Sequence, residues 1–240
     1  MAKPWMRWIL VLQCVLLLAM FAGMVANKFG LAPFRPAFMT FYYGFQGVIV
    51  VTGLTVLACG LIWWLRWHAE KRFALWTLAL GAAPVVVVFA LVGKGLGVPA
   101  IHNISTDLEN PPKFIAAYEL RSSEQNSLDA PSDAVKDLQR GHYADLAPLI
   151  LPEEPDAVFA RALATVADLG WTLIAAHPEQ GLIEAYDETL FFGFKDDVAI
   201  RIQAQAQGTR VDVRSVSRVG RSDLGANAKR IAKFQKALEK

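Results

Sequence analysis

The first hundred residues contain three apolar runs, each long enough to cross a bilayer, and these decide most of what the chain can become. Trp8 to Ala26 has Gln13 as its one strongly polar side chain. Phe45 to Leu65 is broken only by Gln46 and two threonines, and Leu75 to Gly93 carries no charge. A helix of roughly 20 residues rises about 30 Å, the thickness of a hydrocarbon core. Trp5, Trp8, Tyr42, Tyr43, Trp63, Trp64, Trp67 and Trp76 stand at the margins of the runs. Amphipathic rings favour the headgroup zone there. Pro84 falls inside the third run and is expected to remove one backbone hydrogen bond and bend that helix. With 54% hydrophobic and 19% charged residues, the chain is too apolar for an ordinary soluble globule, for disorder or for a coiled coil.

Basic residues set the expected orientation. Three crossings put the N-terminus and the second loop on one side, with Lys3, Arg7, Arg66, Lys71 and Arg72. The other side has Lys28, Arg35 and Lys94. The bias places the N-terminus in the cytoplasm and residues 100–240 outside it, as expected of a multi-pass protein of a bacterial inner membrane with a periplasmic C-terminal domain. The expected division is a membrane domain over 1–99 and an extracytoplasmic domain over 100–240. A cleaved signal peptide is the rival reading of the first run; Met24-Val25-Ala26 suits cleavage poorly, and the external domain is the same either way. No acid or base lies mid-span, so the helices read as anchors or assembly surfaces rather than a transport path. Gly93-Lys94-Gly95-Leu96-Gly97 lacks the lysine-then-hydroxyl ending of a phosphate loop and reads as a flexible exit.

Net charge is +7 over residues 1–99, −11 over 100–194 and +6 over 195–240. A basic segment joined to an acidic one pairs with itself before it binds a polyanion, so nucleic acid is not an expected partner. The two cysteines, Cys14 and Cys59, lie in apolar runs, so the polar half has no disulfide framework and no thiolate metal site. Neither a metal nor a cofactor is expected.

In the polar half, Asn110-Pro111-Pro112 excludes helix and makes 101–114 an extended arm. Residues 121–150 read as a long loop with one short helix from Ser132 to Arg140. A helix begins at Pro155, with Val158, Phe159, Ala162, Leu163, Val166 and Leu169 on one stripe and Gly170 as its left-handed stop. Period two then predicts strands at 171–176, 182–187, around Val198–Ile202 and around Val211–Val213, turning at Pro178, Gly181 and Gly208. A last helix covers Leu224 to Leu238, with Leu224, Ala228, Ile231 and Leu238 inward. The fold class is α+β: three transmembrane helices, then a small two-layer domain with an antiparallel four-stranded sheet under two packed helices. Its open face would gather Arg201, Arg210, Asp212 and Arg214.

Special residues are densest where the last strand turns at Gly220 into the last helix. Free backbone N–H groups beside guanidiniums make an anion site. The candidate ligand-binding set is Arg201, Arg214, Ser215, Ser217, Arg218, Ser222, Asp223, Asn227 and Arg230, for phosphate, carboxylate or a lipid headgroup. The opposing reading has Asp196, Asp197, Asp212 and Asp223 pairing with those arginines to hold the corner. Asp196 and Asp197 are structural, or an acid/base pair; neighbours on a strand point to opposite faces, which works against a shared site. No nucleophile elbow and no Cys/His pair accompany them.

Three stretches carry a resemblance: Thr106-Asp107-Leu108-Glu109-Asn110-Pro111-Pro112-Lys113-Phe114, Phe194 to Arg201, and Asp212 to Asn227. Together they resemble the signatures of domain-of-unknown-function family 1499, over about residues 100–238. The resemblance implies bacterial and plastid proteins, often with membrane helices ahead of the domain. It implies no agreed activity and no catalytic residues to carry over. Three functions stay open: a non-catalytic module binding an anionic ligand, lipid headgroup or envelope protein; an enzyme of envelope lipids or phosphoesters with Asp196 or Asp197 as base; and an accessory subunit of a membrane complex. Membrane lipids and an envelope protein are the expected partners.

Overall fold

The computed structural model describes residues 5–240. Lys3 of the charge count lies outside the described residues, as does the side chain of Lys94. The chain forms two compact units. One is Met1–Lys94 with Leu190–Gly193, and the other is Gly95–Thr189 with Phe194–Lys240.

The first unit holds three helices, α1 (Met6–Lys28), α2 (Phe34–Trp64) and α3 (His68–Val92), all long and apolar enough to cross a membrane. They suggest a multi-pass membrane protein. Helix α2 starts eleven residues before the apolar run read from sequence, because Pro33 and Pro36 suit a helix start rather than break one. Helix α3 continues through Pro84. Helix α1 ends in a Schellman turn. Gly30, at φ +63°, lets its own N–H reach the Asn27 carbonyl and the Leu31 N–H reach that of Ala26. Small residues let α1 and α2 approach closely. A Cβ on Gly23 would lie 2.6 Å from both the Ala37 carbonyl oxygen and the Phe41 nitrogen. Buried Gln13 donates from Nε2 to Thr52 Oγ1 at 3.4 Å, and buried Glu70 accepts from the Met6 N–H at 3.1 Å.

The second unit is built on a six-stranded sheet, larger than the four strands expected. The predicted meander is present as β3 (Thr172–His177), β4 (Leu182–Glu188), β5 (Lys195–Gln205) and β6 (Gly208–Ser217), each antiparallel to the next. The two additions lie along the far edge of β6. They are β1 (Asn103–Ser105), against 214–216, and β2 (Leu149–Leu151), against 209–211. Each is three residues long, too short to show a period-two signature, and each lies in a stretch read as arm or loop. Gln139, from α4 (Asp133–His142), clamps β1 by accepting from the Ser105 N–H and donating to its carbonyl.

Helices α5 (Pro155–Asp168) and α6 (Ala226–Leu238) cover one sheet face. Val158, Phe159, Ala162, Val166, Ile231 and Phe234 pack there on Ile183, Val198, Ile200, Val211 and Val213. Trp171 stacks on Phe234 with centroids 5.6 Å apart. Helix α6 begins two residues later than expected, because Leu224 and Gly225 both take left-handed backbone, at φ +53° and +79°. The other face is not open, which corrects the two-layer expectation. Loop segments and one 3-10 turn (Ala116–Leu120) lay Phe114, Ala117 and Leu128 on Leu182, Ala199 and Val216. A buried carboxylate fixes that cover. Glu184 Oε1 accepts from the N–H of Ile115 and Ala116, and Oε2 from that of Ala117, at 2.9–3.0 Å.

Candidate functional site

Strand alternation splits the predicted site residues between the two faces of the sheet. Ser215, Ser217, Asn227, Arg230 and Asp196 meet on the α6 side. Asn227 Oδ1 accepts from Ser215 Oγ at 2.7 Å and from Arg230 Nη1, while its Nδ2 donates to Ser217 Oγ and the His102 carbonyl, both at 3.0 Å. Arg230 donates from Nε to Asp187 Oδ2 at 2.9 Å and from Nη2 to Asp196 Oδ2 at 2.6 Å. The α6 N-terminus is taken by the chain itself. Asp223 Oδ1 accepts from the Gly225 N–H and Oδ2 from the Asn227 N–H, at 2.8 and 3.0 Å. Burial pushes the Asp223 carboxyl above the usual range, against the lowering by those two N–H groups. Ser222 Oγ accepts from the Leu224 N–H.

Arg201, Arg214, Arg218 and Asp197 lie on the opposite face, in three separate environments. Asp197 is fully buried and accepts from Arg218 Nε and Nη2 and from Arg121 Nε, the shortest contacts being 2.7 Å. Asp212, also fully buried, accepts from Arg201 at 2.8 Å and Arg210 at 2.9 Å, and Asp107 accepts from the same two arginines at 2.9–3.0 Å. Burial alone would raise the Asp107 carboxyl. The Asn110 N–H and the two guanidiniums outweigh it and hold the group below its ordinary value. Asp196 and Asp197 thus serve different arginines on different faces.

Arg214 is the exception. It is 2% exposed, and among the described residues no carboxylate lies within ion-pair distance of it. Its partners are neutral: Asn103 Oδ1 at 3.0 Å and the carbonyls of Pro112, Leu128 and Asp129, with the Phe114 ring 5.2 Å from the guanidinium carbon. These bonds use four of its five N–H groups. Burial pushes its pKa down to about 10, with the positive charge of Arg121 acting in the same direction and Tyr118 and Asp129 acting against it. It forms part of the wall of a cleft of about 510 Å³, with Glu109, Pro111, Lys113, Phe114, Tyr118, Asp129 and Ala130. Phe114, Tyr118 and the anchoring Glu184 are not among the sequence candidates. Their one available signal is a charged residue in a strand whose neighbours Ile183 and Ala185 are core.

These features define the class: an antiparallel α+β domain with internal arginine–carboxylate networks, in a chain that carries three candidate membrane helices ahead of it. Residues 103–238 match the family described as "Protein of unknown function (DUF1499)", and the chain belongs to that family. A search of curated proteins gave no match. Among solved structures, TTHA0849 from Thermus thermophilus is similar at 12% identity and a TM-score of 0.24, covering 39% of this chain and 92% of that one. A likeness that weak carries no argument.

Proposed function

We propose that the protein is a non-catalytic binding module of the bacterial inner membrane. Its domain, on the periplasmic side, holds the anionic headgroup of a lipid-like ligand in the Arg214 cleft. The observation that carries this reading is the pairing of Arg214. A buried cation whose hydrogen-bond partners are all neutral keeps attraction for an anion, whereas Arg121, Arg201, Arg210, Arg218 and Arg230 each already hold a carboxylate at ion-pair distance. Phe114, Tyr118 and Leu128 give the same cleft an apolar wall, and Lys113 adds a second cation at it, with Glu109 and Asp129 also on its lining. The five-to-three bias of basic residues supports the periplasmic side.

The test uses the full chain in mild detergent and a photoactivatable phosphatidic acid. Crosslinks are expected on peptides covering 109–118 and 128–130, and excess phosphatidylglycerol should remove them. Lys113→Glu, an exposed change that spares the fold, should weaken them several-fold by reversing one of the two cations. Crosslinks confined to α1–α3, unaffected by Lys113→Glu, would sink the proposal.

A further inference from the structure

The turn between β4 and β5 reads Leu190-Phe191-Phe192-Gly193, with no charge, where a surface turn ordinarily carries polar residues. These residues belong to the helical unit. Phe192 is nearly buried there. Its ring packs edge-on against Phe41 with centroids 5.1 Å apart and against Phe38 at 6.0 Å, and its carbonyl accepts from Asn27 Nδ2 at 2.6 Å. The rings it joins form ladders along α2. Phe38 stacks on Phe34 and Tyr42, and Phe41 stacks on Phe45. Leu190 and Phe191, beside it, are 77% and 62% exposed.

We propose that this turn is an interfacial wedge. Phe192 is the anchor, and Leu190 and Phe191 insert into the headgroup–acyl boundary of the bilayer. The occupant follows from continuity. The ladder that receives Phe192 reaches Tyr42 and Tyr43 one turn further along α2, and exposed tyrosines at the end of an apolar span mark the membrane interface. Exposed Phe29 and Leu31 in the α1–α2 turn extend the same apolar margin. Three crossings also bring the α1–α2 turn and the chain after α3 out on one side, so a turn at 190–193 reaches that margin without a further crossing. Large apolar side chains beside such a belt are stabilised by lipid as those of interfacial helices are. This contact is independent of the Arg214 cleft.

The experiment places a nitrobenzoxadiazole label on full-length protein carrying Cys14→Ala and Cys59→Ala, reconstituted in phosphatidylcholine–phosphatidylglycerol vesicles. Phe191→Cys and Leu190→Cys are the test sites, and Ser123→Cys, in an exposed loop, is the reference. Doxyl-labelled phosphatidylcholine should quench both test sites at least about twofold more than the reference, with aqueous iodide showing the reverse order. Iodide quenching at 190 and 191 equal to that at 123 would overturn the proposal. So would shielding from both quenchers with disulfide crosslinking between copies of the Phe191→Cys protein, which would make the turn a protein–protein contact.

Discussion

Removing the Asp197 carboxylate separates scaffold from binding site more sharply than any other single change. In Asp197→Ala, Arg218 loses contacts from Nε and Nη2, and Arg121 loses its Nε bond. The three side chains are 0%, 10% and 6% exposed, so water cannot replace the lost acceptor without opening the sheet. Breaking a buried pair from one side costs about 3–5 kcal/mol, because it strands an uncompensated charge. Here two cations share one acid, which argues for the upper part of that range. At this domain size each kcal/mol moves the melting temperature by about 3–4 °C, so a drop of about 10–20 °C is expected. Adding Arg218→Met should recover about half of it. One of the two stranded charges is then gone, and Arg121 keeps the carbonyls of Asn126 and Val216. The assay is thermal unfolding of the detergent-solubilised chain, with hydrogen exchange on β5 and β6 peptides to locate the loss. An Asp197→Ala protein melting within about 2 °C of the parent would refute the argument, since the arginines would then be free for an external anion.

Three further outcomes follow from local geometry. Gly23→Ala forces a methyl onto the backbone of α2 and should lower the stability of the helical unit in a detergent melt, while Gly53→Ala, with none of the described residues within 4 Å of the added methyl, should leave it unchanged or slightly raised. Tyr143 has a buried hydroxyl without a hydrogen-bond partner among the described residues, and burial raises its pKa, so Tyr143→Phe should hold or gain up to about 1 kcal/mol by denaturant titration. Asp107 is held below its ordinary value of 3.8, so its contribution is complete above the unfolded pKa and is lost as pH falls through the lower folded one. Asp107→Asn should therefore flatten the stability–pH curve below about pH 4 and leave its shape above pH 5 unchanged, as read by melts from pH 2 to 7.

Most of the elements are legible in the sequence because they follow a period. The three apolar runs, the stripe from Val158 to Val166 and the alternation through Val198, Ile200 and Ile202 all mark elements that exist. What stays hidden has no period. Strands β1 and β2 exist because β6 offers a free edge, and Phe114 covers the second face because Glu184 gathers three N–H groups on a distant segment. The candidate site is legible as a set of residue types and hidden as a geometry. The alternation that sends Asp196 and Asp197 apart also sends Ser215 and Ser217 away from Arg214 and Arg218.

Strand register explains why so many arginines are needed. Asp187 on β4 sits directly opposite Asp196 on β5, a like-charge pair that is destabilising unless a cation comes between. Arg230 does so from α6, giving Nε to one carboxylate and Nη2 to the other. Arg201 and Asp212 are direct partners across β5 and β6 and neutralise each other on the covered face, with Arg210 and Asp107 completing the quartet. Each of these cations answers a carboxylate that the sheet has already buried, so Asp196 and Asp197 depend on Arg230 and Arg218 as parts of one scaffold. Arg214 answers none. Its partner across β5 is Ala199 and across β1 is Ser105, so the register supplies no acid. Its guanidinium, at 2% exposure, is held instead by four hydrogen bonds to neutral oxygens and by the Phe114 ring. That difference from the other arginines, at the wall of a cleft, is what the proposed ligand site rests on.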